Sequence, residues 1–67
     1  MEDEHGKYIE LNTFLKIKGI APTGGQARIL IRSGIVFVNS KIETRNKRKL
    51  REGDLISVNQ EGFVVQL

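Results

Sequence analysis

The sequence predicts an α+β domain, with two short helices packed on a small antiparallel sheet, and three observations lead there. Apolar residues recur at helical spacing in two stretches of the first half. The second half breaks into short β-branched runs separated by turn residues. The third is length: 67 residues make one domain, and a chain this short buries only about 60% of its unfolded surface, so the core must be small.

Met1 to Gly6 is acidic and polar, and residues 1–8 are read as an acidic flexible tail ahead of a domain at 9–67. Leu11, Phe14 and Leu15 fall at i, i+3 and i+4, which predicts a first helix ending near Gly19, with Asn12 and Lys16 on a different face. Ile20-Ala21-Pro22 is a tight connector, because proline holds the residue before it extended. Two helices joined this closely should pack as a pair.

Thr23 suits the cap of the second helix, and Gln26 three residues later completes a capping box. Ala27, Leu30 and Ile31 then share one face and should meet the core. Arg28 and Arg32, four apart, project together towards solvent or a ligand. Gly34 stands where a left-handed residue ends a helix, and Ile35-Val36-Phe37-Val38 should be a strand.

Asn39-Ser40 signals a turn, and Lys41-Ile42-Glu43 resumes alternation, so a hairpin is expected. Thr44 to Lys49 contains no apolar residue and reads as a basic loop. Leu50 is an apolar anchor, Glu52-Gly53-Asp54 a turn, and Leu55-Ile56-Ser57-Val58 a further strand. Gln60-Glu61-Gly62 is read as the next turn and residues 63–67 as the last strand, whose edge could pair with another chain. Phe37 and Phe63 are assigned to the core or a sheet face. Tyr8 is open to two readings, packing or stacking on a base, and packing is favoured.

Net charge is +3, but its distribution is uneven: residues 1–10 carry −3, residues 52–67 carry −3, and residues 16–51 carry +9. A basic centre of that density points to a polyanionic partner. The chain has no cysteine, so a disulfide framework or thiolate metal site is excluded, which fits an intracellular setting. The single histidine, His5, lies in the acidic tail and reads as solvated rather than as a metal ligand. No apolar run exceeds four residues, so neither a membrane span nor a signal peptide is read, and a cytoplasmic protein is expected.

Gly24-Gly25 is not followed by Gly-Lys-Ser/Thr, so a nucleotide-binding loop is not indicated. Thr23 has no histidine or lysine base at a motif spacing. Glu43, Glu52, Asp54 and Glu61 fall in turns and a hairpin, a surface pattern. No catalytic constellation stands out, and neither an enzymatic role nor a cofactor is expected.

The ordered series Asn12-Thr13-Phe14-Leu15-Lys16, Thr23-Gly24-Gly25-Gln26-Ala27-Arg28, Leu30-Ile31, Gly34-Ile35-Val36, Val38-Asn39 and Leu50 with Gly53-Asp54 resembles the S-four RNA-binding domain. The resemblance covers roughly residues 9–58 and is closest to the short stand-alone bacterial form. It implies the αL-type fold of that family, in which a helix pair and adjoining hairpin bind structured RNA, most often ribosomal or transfer RNA. Many members have arginine where this chain has Gly24, and glycine where it has Ser40. Gly24 and Gly25 nevertheless leave N–H groups open at a helix start, itself an anion site.

Together, the resemblance and the basic residues imply an RNA-contacting set of Asn12, Lys16, Thr23, Gly24, Gly25, Gln26, Arg28, Arg32, Arg45, Lys47, Arg48, Lys49 and Arg51. The loop residues fit either phosphate contacts or a solvated hairpin end. The expected partner is structured RNA, foremost ribosomal RNA or a ribosomal subunit, leaning to the large one by analogy, bound by a monomer in ribosome assembly, maturation or quality control. Two alternatives stay open: DNA binding through a helix-turn-helix-like pair, and a protein-interaction adaptor.

Overall fold

A computed structural model describes residues 6–67 of the chain. His5 and most of the predicted acidic tail lie outside the described residues. The order of elements is β1 (Ile9–Glu10), α1 (Leu11–Ile17), α2 (Gly24–Arg32), β2 (Val36–Val38), β3 (Lys41–Ile42), β4 (Lys49–Leu50), β5 (Leu55–Val58) and β6 (Glu61–Val64).

The α+β class is as expected, but the strands form two antiparallel sheets rather than one. Four strands are ordered β3-β2-β5-β6, and β1 pairs with β4 in a separate ribbon. The sequence reading has no strand at either position of the ribbon. Lys49, assigned to the basic loop, lies in β4 opposite Glu10, while Leu50 lies opposite Ile9.

Helix α2 begins and ends as its sequence dictates. Thr23 Oγ1 accepts from the Gln26 N–H at 3.1 Å, capping α2. Thr23 thus supplies its half of the capping box; a return bond from the Gln26 side chain is absent from the hydrogen bonds of the described residues. Gly34, at φ 87°, closes the helix in the left-handed region. Helix α1 lacks a side-chain cap at Glu10. Its first N–H groups are taken up instead by the basic loop: Leu11 N–H donates to the Arg48 carbonyl at 2.9 Å and Asn12 N–H to the Asn46 carbonyl at 3.1 Å.

Leu11, Phe14 and Leu15 of α1 and Ala27 and Ile31 of α2 are buried against Val36, Val38, Leu50, Ile56, Val58 and Val65. Leu30 and Phe63 pack at the margin of this core. The opposite face of the four-stranded sheet leaves Phe37, Ile42, Leu55 and Val64 exposed.

The C-terminal hairpin departs from expectation. The turn is Asn59-Gln60, not Gln60-Glu61-Gly62, since Val58 pairs with Glu61 and Ser57 with Gly62. Gly62 looks like a turn residue yet sits within β6, where an added Cβ would meet Leu55 Cδ1 at an ordinary 3.8 Å. The last strand therefore ends at Val64, and Val65 leaves the sheet to be buried. Its N–H donates to the Asp54 carbonyl, and its carbonyl accepts from Gly53 N–H, both at 2.9 Å.

Candidate nucleic-acid interface

The basic loop is organised around Glu43, which the sequence places among surface carboxylates. Glu43 is not a surface carboxylate; it is buried, with 7% of its surface exposed. A buried charge must be paired, and Glu43 accepts from four donors. Arg45 contributes Nε at 2.9 Å, Nη2 at 3.1 Å and its backbone N–H at 2.9 Å, and Arg48 contributes Nη1 at 2.9 Å. The Arg45 guanidinium grips both carboxylate oxygens, the two-point geometry that makes such pairs strong.

These bonds, the Arg45 side chain's first among them, outweigh burial and lower the Glu43 pKa to about 2. The same hydrogen bond raises the Arg45 pKa above its ordinary value. Arg45 and Arg48 are therefore partly neutralised where they stand. Their first role is to fix the loop: the Arg48 N–H also donates to the Arg45 carbonyl at 3.3 Å, and the carbonyls of Arg48 and Asn46 are held by α1.

With the loop fixed, an open cleft of about 650 Å³ lies between it and α2, lined by Arg28, Arg32, Thr44, Asn46 and Lys47. The two arginines project from the exposed side of α2 because Ala27 and Ile31 occupy its core side. Three cations thus meet across a concave surface, from parts of the chain that only the fold brings together. A second cleft, of about 460 Å³, is lined by Arg45, Lys47, Arg48 and Lys49. Lys47 lines both.

Of the remaining residues singled out in the sequence, Asn12 adjoins the loop through its backbone bond to Asn46. Lys16 is exposed on α1, and Thr23, Gly24, Gly25 and Gln26 form the start of α2; none of these lines either cleft. Arg51 follows β4, and its N–H donates to Asp54 Oδ2 at 2.7 Å. Thr44 and Asn46 escaped the sequence reading because neither is charged nor periodic. Asn46 Oδ1 is buried without a partner among the described residues, although it lies beside the arginine cleft.

Among the described residues no group of three or more His, Asp or Glu is placed to hold a metal ion, and no helix is long and apolar enough to cross a membrane.

Comparison with known proteins accords with this arrangement. The family model of the S4 domain matches residues 3–66. The chain is 38% identical over 50 residues to the Escherichia coli protein named "Putative RNA-binding protein YbcJ", covering 75% of this chain and 71% of that one. It is 36% identical over 55 residues to the Bacillus subtilis protein named "Probable ribosome maturation protein RlbA", covering 82% of this chain and 75% of that one. With the family model spanning the helix pair, the fixed basic loop and both sheets, the chain belongs to the S4 domain family of RNA-binding modules.

Proposed function

We propose that the protein acts by binding rather than by catalysis, and that its ligand is folded ribosomal RNA, engaged during maturation or quality control of a ribosomal particle in the cytoplasm. The observation that carries this reading is the cleft in which Arg28, Arg32 and Lys47 converge beside Asn46. Phosphates on one strand of an A-form helix are spaced so that several basic side chains on a concave surface can contact them at once.

Arg28, Arg32 and Lys47 supply the phosphate contacts, with Lys49 extending them through the second cleft. Selectivity comes from the shape of the RNA. The Bacillus subtilis relative's name ties that protein to ribosome maturation, which supports the choice of a ribosomal target. The large subunit is the favoured particle. The concave seat argues against the duplex-DNA alternative, because a recognition helix must protrude to enter a major groove, whereas the arginine side of α2 is flanked by the loop.

Replacing Arg28 and Arg32 together by alanine is expected to weaken binding to ribosomal RNA about tenfold and to lower the salt slope by about one unit per lost contact. Gradient sedimentation of a lysate at low and high salt, with crosslinking to identify the RNA, tests the target. Co-migration with one subunit or its precursor, lost in the double variant, is the expected result. Unchanged affinity in the double variant would remove the cleft as the contact surface, and failure to migrate with any particle at low salt would remove the ribosomal target.

A further inference from the structure

Tyr8 lies against the basic loop, with two cations over its ring. It has 47% of its surface exposed, so about half of it stays open to a ligand. Lys49 Nζ lies 4.9 Å and Arg51 Cζ 5.5 Å from the ring centroid. Two cations within cation–π range hold the ring in place and put phosphate-binding charge beside it.

Lys49 also lines the smaller cleft, which shares Lys47 with the cleft holding Arg28 and Arg32. Positive charge therefore continues from α2 across the loop and ends at a half-exposed aromatic ring. From this we infer that Tyr8 is a stacking platform for an unpaired nucleobase of the bound RNA. The inference rests on the RNA-binding reading above and adds a property of the ligand.

The base faces of a duplex are covered by their neighbours, so an exposed ring can stack only on a base in a loop, a bulge or a strand end. The ligand is then a helix whose phosphates lie in the cleft, with an unpaired nucleotide beside it reaching Tyr8. Aromatic stacking of this kind tolerates any base, so Tyr8 selects for an unpaired base rather than for its identity.

The chain has one tyrosine and no tryptophan, which makes its tyrosine emission a signal from Tyr8 alone. The test titrates the full chain, at low salt, with three dye-labelled RNA hairpins: blunt, with a short adenosine overhang, and with the same overhang lacking its bases. Binding is followed by dye anisotropy and stacking by tyrosine emission. The overhang hairpin is expected to quench the emission at saturation, and the abasic one to leave it nearly unchanged.

Tyr8→Leu should weaken binding of the adenosine overhang about 5- to 150-fold, the range of one stacked base, with no change for the blunt hairpin. Tyr8→Phe should retain the wild-type affinity. Emission that stays unquenched while the overhang hairpin is bound, or equal affinities of Tyr8→Leu and wild type for it, would overturn the stacking site and leave the cleft standing. Failure of all three hairpins to bind, with the Arg28/Arg32 double variant indistinguishable from wild type, would overturn the RNA-binding reading and the stacking site with it.

Discussion

Glu43 shows how one carboxylate can make a basic surface usable. Like charges on neighbouring residues repel, and a loop bearing Arg45, Lys47, Arg48 and Lys49 has reason to spread into solvent. Glu43 draws in two of the four and leaves Lys47 and Lys49 without an ion-pair partner among the described residues. Glu43→Gln keeps the shape of the side chain but removes the charge, and is expected to cost about 1–3 kcal/mol of stability in urea unfolding at neutral pH. The folded-state pKa of about 2 lies below the ordinary 4.5, so the wild type's advantage is complete above pH 4.5 and is lost as pH falls to about 2. The stability difference between wild type and Glu43→Gln should therefore shrink over that interval. A constant difference would mean that the carboxylate's charge is not what holds the loop.

At the scale of elements, both hairpins of the four-stranded sheet use two-residue turns with positive φ at each position. Asn39 and Ser40 stand at 52° and 72°, and Asn59 and Gln60 at 53° and 70°. Such turns match the twist of the paired strands, and asparagine tolerates the first position, but Ser40 and Gln60 are strained there. Ser40→Gly and Gln60→Gly should each raise stability by about 0.5–1 kcal/mol, whereas Gly34→Ala, at φ 87°, should lower it by about 1 kcal/mol. Chemical denaturation of the three variants checks both signs. The same turns mark what the sequence discloses. Helices α1 and α2 and strands β2 and β5 are legible because their periodicity or β-branched runs are local. The β1–β4 ribbon is not, since each strand has two residues and Ile9 finds its partner Leu50 far along the chain. The residue types of the site were legible as charges, but their arrangement was not: the cleft joins Arg28 and Arg32 to Asn46 and Lys47 only through the tertiary fold. Burial of Glu43 was likewise hidden, because a carboxylate among arginines has the composition of a solvated surface.

For the whole molecule, the small core and the proposed RNA surface are coupled through the loop. Leu50, fully buried, ties the β1–β4 ribbon to the core, and the ribbon leads into α1, whose first N–H groups hold the loop carbonyls. A single core in a chain of this size supplies no more than about 3–5 kcal/mol. Leu50→Ala removes about 2–5 kcal/mol by leaving a cavity, enough to populate the unfolded chain substantially. A ligand that binds only the folded state returns about 2.7 kcal/mol at a hundred times its Kd. Leu50→Ala should therefore be cleaved readily by protease on its own and become protected when a hairpin RNA is added at that excess. The same RNA concentration should leave a variant combining Leu50→Ala with Arg28→Ala and Arg32→Ala much less protected, because the proposed cleft contacts are gone. Equal protection of the two variants would show that the RNA is held elsewhere on the protein. Absence of protection in Leu50→Ala, with wild-type binding intact, would show that the RNA does not require the assembled core, ribbon and loop.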